Sequence, residues 1–368
     1  MPSLTLPPVP RYVLPPRPSE ELEYADLPII DFSKGNTPEG RAELASQVRD
    51  AMTTQGFFYV INHGYTAAQT QRVFDIADVA FTQVSEEDKS KYEGTMGTTG
   101  SFQGYKLKEY FHIDGGVRDQ IEMFNINRDV NKREHPEAIR PVLPEIADLA
   151  KHCHFDVVHP ILRLLAIGLE LPEETLVNLH RFDAVGESYV RYMKYFPRSE
   201  EDEVKSKNVW LKGHTDIGTI TLLYSQPIAA LQMLGPDGHW RWVKHIENAI
   251  IVNAGDGIEF LSGGFYRATI HRVVQPPVSQ RSLNRLGVCY FAMSDDDVKL
   301  APLVDSPVLQ RVGIKKHGRF GPDSVAPTME VWRKGRTSAY GRTELKASEK
   351  DEGVEEQTIN GVVVKHYN

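Results

Sequence analysis

The stretch His214-Thr215-Asp216-Ile217-Gly218-Thr219-Ile220-Thr221-Leu222-Leu223-Tyr224 decides how this chain reads. Its start sets an imidazole and a carboxylate two positions apart, and its end is a short apolar strand. In an extended segment, residues i and i+2 project to one face and can share an ion. In a helix they lie about 200° apart and cannot. The chain has 13 histidines and three such triplets, the others being His112-Ile113-Asp114 and His154-Phe155-Asp156. The triplet alone therefore carries little. His154 and Asp156 fall in a helical pattern, and the partners open to His112 (His152, His154, His159) fall on that same pattern. Only His214 and Asp216 lie in the strand-rich half. There, Ile270-His271-Arg272-Val273 supplies a second strand-borne imidazole, and Arg285 opens the next apolar run. Two imidazoles and one carboxylate are the smallest set that holds iron(II) on one face and leaves the other open. Zinc is the competing ion, but no His-Glu-x-x-His helix motif occurs.

Outward from this stretch, Tyr189–Phe196, Thr219–Tyr224, Leu231–Leu234, Trp240–Val243, Ala249–Asn253, Ile270–Val274 and Leu286–Phe291 all read as short strands. Turn signals such as Pro236-Asp237-Gly238 and Gly255-Asp256-Gly257 separate them. Asp256 reads first as turn chemistry. The pattern predicts an α+β chain with a mainly β core, a sandwich or barrel and here a jelly roll. Upstream, Pro28–Phe32 is a strand. Thr37-Pro38 opens a helix carrying Leu44, Val48 and Met52, closed by Gln55-Gly56. Gly56–Ile61 is a second strand ending at Asn62-His63-Gly64, followed by a helix from about Thr66. Residues 85–135 read as loops and short strands able to line a site, and 136–171 as one long helical pattern. The organisation expected is an extended Pro-rich arm (1–27), a helical region (28–187), a catalytic β domain (188–326) and a polar, loosely packed tail (327–368).

The charge of −8 offers no basic face for nucleic acid. No run approaches the roughly 18 apolar residues of a membrane span, and the N-terminus lacks an apolar signal core. Two cysteines, Cys153 and Cys289, cannot build a disulfide framework. The chain ends in Lys365-His366-Tyr367-Asn368, which is no peroxisomal signal. A cytoplasmic protein without an obligate protein partner is expected.

The residues resemble the non-haem iron(II), 2-oxoglutarate-dependent dioxygenases, in the branch related to isopenicillin N synthase. The resemblance rests on Pro28-Ile29-Ile30-Asp31, Gly56–Gly64, His214–Thr219, Asn253-Ala254-Gly255-Asp256 and His271-Arg272-Val273, and it covers most of the chain. It implies a double-stranded β-helix (jelly roll) core flanked by helices, with iron(II) on His214, Asp216 and His271. It also implies 2-oxoglutarate near Arg285, Tyr195 and Phe196, dioxygen as oxidant, and ascorbate as a candidate reductant. Arg285 can pair bidentately with the distal carboxylate of 2-oxoglutarate. Two departures stand out. The family's Arg-x-Ser is here Arg285-Leu286-Gly287, and the Asn-x-Tyr-Pro of plant members matches Lys194-Tyr195-Phe196-Pro197.

The expected substrate is a small, mostly apolar organic molecule of secondary metabolism, oxidised by hydroxylation, desaturation or ring closure. Phe102, Tyr105, Tyr110, Phe124, Tyr192 and Phe291 are the candidates for its pocket. Phe291 shares a strand face with Arg285. Two other functions stay open: an iron oxidase of the same fold that does not use 2-oxoglutarate, and a non-catalytic binder of small molecules.

Overall fold

The computed structural model describes residues 6–313, 319, 325–339, 345–348 and 354–367. In chain order its strands are β1 (Ile29–Asp31), β2 (Phe57–Ile61), β3 (Gly104–Lys106), β4 (Ile121–Asn127), β5 (Tyr189–Tyr195), β6 (Val209–His214), β7 (Ile220–Tyr224), β8 (Leu231–Leu234), β9 (Trp240–Trp242), β10 (Ile250–Ala254), β11 (His271–Val274), β12 (Arg285–Ala292), β13 (Lys346–Ala347), β14 (Val354–Ile359) and β15 (Val362–Tyr367). Eight form one sheet in the order β1-β2-β10-β7-β12-β5-β4-β3. Seven form the other, β13-β14-β15-β6-β11-β8-β9. Apart from β1 on β2, the pairs within the sheets are antiparallel. This is the jelly roll expected, and the cavity between the sheets holds the site.

In the larger sheet β5 and β12 are buried along their whole length, Arg191, Lys194 and Arg285 included. On β12, Arg285, Gly287, Cys289 and Phe291 alternate with Leu286, Val288 and Tyr290. The second set packs toward helices, where the Tyr290 hydroxyl meets His154 Nδ1 at 2.9 Å. The helices arise from local signals. Thr37 accepts the Gly40 N–H at 3.0 Å and Pro38 stands in the first turn of the helix Pro38–Thr54. Such a cap contributes about 1 kcal/mol. Its Leu44, Val48 and Met52 are buried against the sheet. The chain leaves this helix through Gly56 at φ +67, where a Cβ would lie 2.3 Å from the Arg267 carbonyl oxygen, so only glycine fits. The helix Ala67–Thr82 starts on a reciprocal Thr66/Gln69 capping box.

Two expectations are corrected. The long helical pattern is not one helix. Leu143–Lys151 and His159–Gly168 are joined by a wider π-helical turn, His152–Val158. Pro160 has no N–H to return to the preceding turn, and the His159 N–H bonds five residues back, to the His154 carbonyl. Nor are the described parts of the C-terminal region loosely packed. The helix Met329–Ala339 buries Trp332 and Arg336, and β15 joins β6 at Tyr367 and Gly213. Its apolar residues are few, so the polar texture hid an amphipathic helix whose inward face carries arginines. The N-terminal arm, from residue 6, runs extended along the body, with the Tyr12 ring 6.1 Å from Phe74 and the Pro16 carbonyl accepting from Gln280. Cys153 and Cys289 are buried free thiols. Among the described residues, no helix is long and apolar enough to cross a membrane.

Candidate active site

His214 ends β6, His271 begins β11, and the two are direct partners across the ladder. Their ring centroids are 4.5 Å apart. Asp216 lies just past the end of β6, with Oδ1 3.7 Å from His214 Nε2 and 3.8 Å from His271 Nε2. One ligand atom from each residue falls within 4.8 Å of the others. The orientation of each group is fixed from behind. His214 Nδ1–H donates to the Lys212 carbonyl at 2.8 Å, and His271 Nδ1–H to the Thr269 carbonyl at 3.1 Å. Carbonyls only accept, so both Nδ1 atoms carry the proton and both Nε2 lone pairs face the centre. Asp216 Oδ2 accepts from Thr221 Oγ1 at 2.6 Å and Asn253 Nδ2 at 2.8 Å. That leaves Oδ1 for the centre.

Electrostatics agree with this arrangement. Burial, with His271 beside it, pushes the His214 imidazole down to about 4, so it is neutral at neutral pH. Burial alone would raise the Asp216 carboxyl. The neighbouring His271 and His214, with the Asn253 and Thr221 hydrogen bonds, instead hold it below the usual range. A neutral imidazole and an ionised carboxylate are the forms a metal requires. The donor set fits a divalent ion with open coordination positions.

Further contacts hold the His214-Thr215-Asp216 loop itself. Asp256 is fully buried; its backbone N–H donates to the Asp216 carbonyl at 2.7 Å. Its carboxylate accepts from Thr215 Oγ1 at 2.8 Å and from the guanidinium groups of Arg319 and Arg336. Arg336 Nη2 also donates to the Thr215 carbonyl at 3.1 Å. The turn reading of Asp256 is thus incomplete. It is a buried anion bridging the His214-Thr215-Asp216 loop to the C-terminal helix. Its place in the Asn253-Ala254-Gly255-Asp256 motif was the available signal.

Arg285 stands on β12 opposite Tyr195 of β5. It is 3% exposed, its Nε has no hydrogen-bond partner, and its guanidinium carbon lies 5.2 Å from the centre of the Tyr195 ring. No carboxylate among the described residues pairs with it. Tyr195 is buried and lines the cavity, whereas Phe196 lies outside it, with Lys108 Nζ 3.7 Å from its ring centre. The comparison with Asn-x-Tyr-Pro is therefore shifted by one residue: Met193 and Tyr195 face the cavity, and Lys194 and Phe196 do not. Gly287 pairs with Met193, and a Cβ there would come 3.1 Å from Met193 Cγ. The space of the absent serine side chain is bounded by methionine.

One cavity is lined by His214, Asp216, His271 and Arg285 together. Of the six candidate aromatics, Phe102 and Phe291 line it. Tyr105 and Phe124 stack on each other at 4.3 Å inside the core, with the Tyr105 hydroxyl on the Ala80 carbonyl. Tyr192 is buried on the other face of β5, and Tyr110 lies outside the cavity lining. The odd-numbered face of β5, namely Tyr189, Arg191, Met193 and Tyr195, lines the cavity instead. Strand alternation counted from Tyr195 would have found it. Phe111, Met123 and Leu223 are also part of its apolar lining.

With this geometry established, the chain can be placed among known proteins. Residues 27–145 match the family model described as the N-terminal region of the non-haem dioxygenase in morphine synthesis, and residues 187–293 match the 2OG-Fe(II) oxygenase superfamily. The 2-oxoglutarate-dependent dioxygenase FG08081 of Gibberella zeae is 33% identical over 292 residues, covering 77% of this chain and 84% of that protein. The chain belongs to the 2-oxoglutarate/Fe(II)-dependent dioxygenases.

Two further proteins extend the likeness. Scopoletin 8-hydroxylase of Arabidopsis thaliana is 27% identical over 298 residues, with coverage of 79% and 76%. A full-length Neurospora crassa protein, solved in complex with alpha-KG and 5-formyluracil, superposes with a TM-score of 0.72 at 21% identity. That match covers 87% of this chain and 99% of that one. At that identity the likeness speaks for the fold. Iron(II) and 2-oxoglutarate are the metal and co-substrate of this dioxygenase family.

Proposed function

We propose that this dioxygenase oxidises an unactivated carbon of a small, mostly apolar organic molecule, with iron(II) held by His214, Asp216 and His271. Arg285 receives the distal carboxylate of 2-oxoglutarate, with Tyr195 beside it. The observation that carries this reading is a single cavity. At one point three ligand atoms converge within 4.8 Å, and in the same cavity stands a buried guanidinium with an unpartnered nitrogen. Secondary metabolism is the setting, supported by the likeness to a relative named for hydroxylating scopoletin.

Bound iron(II), 2-oxoglutarate and dioxygen supply the oxidising chemistry, in which 2-oxoglutarate is converted to succinate and carbon dioxide. The chain's own task is positioning and exclusion of water. Lys212 and Thr269 fix the imidazole tautomers, and Thr221 and Asn253 hold one carboxylate oxygen so that the other faces the centre. Arg285 binds and orients, and the apolar wall of Phe102, Phe111, Met123 and Leu223 keeps the reacting carbon dry.

The test is anaerobic reconstitution with ferrous ion, then addition of 2-oxoglutarate with the visible spectrum recorded, then admission of air with succinate measured. Iron binding, a spectral change and slow succinate release without substrate are expected. Iron binding with neither spectral change nor succinate would favour the oxidase that does without 2-oxoglutarate. Failure to bind iron would favour the non-catalytic binder.

A further inference from the structure

We infer that Arg191 is a specificity-determining residue that grips a carboxylate on the substrate, so the organic molecule oxidised here is a carboxylic acid with an apolar body. This deepens the function proposed above and rests on it. Arg191 lies on β5 with its side chain lining the cavity, yet it is only 8% exposed. Its Nε donates to Asn125 Oδ1 at 2.6 Å, while its Nη2 has no hydrogen-bond partner. No acidic residue among the described ones pairs with it. A buried guanidinium left without a counter-charge is costly unless something in the working protein supplies one.

The side chain is also pre-set. Its guanidinium carbon stands 4.9 Å from the Phe102 ring centre, 5.2 Å from that of Tyr189 and 4.8 Å from that of Phe291. Tyr189 and Phe291 are themselves stacked at 4.9 Å. These faces hold the planar group by cation–π contact without hydrogen-bonding its N–H groups. Asn125 is anchored in turn on the Gly104 carbonyl at 3.2 Å. The result is a rigid, forward-presented donor edge, which suits the planar acceptor pair of a carboxylate.

This cation is distinct from the one assigned to 2-oxoglutarate. Arg285 faces Tyr195 across the ladder, and Arg191 faces Cys289. Four residues of strand separate the two positions, roughly 13 Å along the sheet. A five-carbon diacid that spends one carboxylate at the metal centre and the other at Arg285 has none left for Arg191. Lys106, which feels the charge of Arg191, is itself bound to Asp119 and the Ile121 carbonyl. Among the described residues, Arg191 therefore stands as a single cation at its end of the cavity, which favours one carboxylate over a more highly charged group.

The experiment uses ferrous protein saturated with 2-oxoglutarate and kept anaerobic. It is titrated by calorimetry with benzoate, phenylacetate, 3-phenylpropionate, 2-naphthoate and octanoate, each beside its primary amide. At least one acid is expected to bind tenfold or more tightly than its amide. In Arg191→Gln that ratio falls to within twofold, and in Arg191→Lys, which keeps the charge, it stays above threefold. Binding of 2-oxoglutarate, unchanged in both variants, reports that they are folded. If every acid binds no better than its amide, or if the preference survives Arg191→Gln, the inference is overturned. Should the unmutated protein fail to bind 2-oxoglutarate, the reading of Arg285 falls instead, and the same acid–amide comparison run without 2-oxoglutarate decides Arg191.

Discussion

The two sides of the cavity obey opposite rules. On the side of the convergent histidines, the polar groups have partners within the protein: carbonyls behind the imidazoles, Thr221 and Asn253 on Asp216, and two arginines on Asp256. On the side of β5 and β12, two buried arginines keep nitrogen atoms with no partner. Arginine appears on both sides, so residue type alone does not separate them; the presence of a counter-charge does. On the first side the partners fix how each group is turned toward the centre; on the second the guanidinium groups keep nitrogen atoms free. The difference says where substitutions should damage the metal centre or the scaffold, and where they should damage ligand affinity.

The sharpest break is Asp216→Ala. Partners that merely orient a metal ligand cost 10–100-fold when lost, so removing the ligand itself should lower iron-dependent succinate formation by more than about 100-fold. Circular dichroism should stay native, because Thr221 and Asn253 can turn to other acceptors. A collapse of the spectrum would make Asp216 a structural anion.

Arg336→Met tests the satisfied side through stability. It strips one partner from a fully buried carboxylate, which should cost about 3 kcal/mol, read as a lower urea midpoint. Adding Asp256→Asn to that variant should recover part of the loss, since the stranded charge is then gone. No recovery would mean that Arg336 contributes by packing on Trp332, 5.3 Å away.

Arg285→Ala should leave the fold intact and raise the 2-oxoglutarate requirement roughly 10–100-fold, the value of one charge-assisted hydrogen-bonded contact of about 1.5–3 kcal/mol. An unchanged requirement in steady-state succinate assays would remove Arg285 from co-substrate binding.

Acid should loosen the satisfied side in a defined window. Burial pushes His180 down to about 4 and His154 down to about 3. His180 spans the Leu176 carbonyl and Thr219 Oγ1 at 2.7 and 2.8 Å, next to the loop that carries Asp216. Both folded values lie below the unfolded value near 6.5. The stability they contribute is therefore complete above that value and is lost as pH falls through it toward 4. Between pH 7 and 5, His180 alone should account for roughly 2 kcal/mol. Urea midpoints across that range should fall, and His180→Asn should flatten the fall.

The smallest effect is expected from Gly287→Ser. The new Cβ presses on Met193 Cγ at 3.1 Å, the middle of a flexible side chain. Stability should change by less than about 1 kcal/mol, and the 2-oxoglutarate requirement by no more than a few-fold. A larger loss of affinity would show that Met193, rather than a missing hydroxyl, shapes this end of the site.

Much of this was legible before any coordinates. His214, Asp216 and His271 were readable because strand geometry brings i and i+2 to one face, and because strand runs surround both segments. The jelly roll followed from the number and spacing of those runs. Arg191 was hidden among Tyr189–Phe196, where every residue is apolar, aromatic or basic and the phase must be set from outside. Fixing it on Phe196 instead of Tyr195 sends the wrong face into the cavity, because a one-residue slip inverts a strand. Tyr105, Phe124 and Tyr192 read as pocket residues only because size and aromaticity do not distinguish core from lining. The role of Arg336 was not visible in the sequence at all. Its partner Asp256 is distant along the chain, and only folding brings them together.

That contact between the helix Met329–Ala339 and Asp256 has a consequence for biogenesis. A nascent chain that had emerged as far as residue 326 would already carry His214, Asp216, His271, Arg285 and Arg191. The His214-Thr215-Asp216 loop would still lack the guanidinium that clasps it from the C-terminal side. A protein ending at residue 326 should therefore hold iron(II) more weakly than the full chain, in proportion to what that clasp contributes.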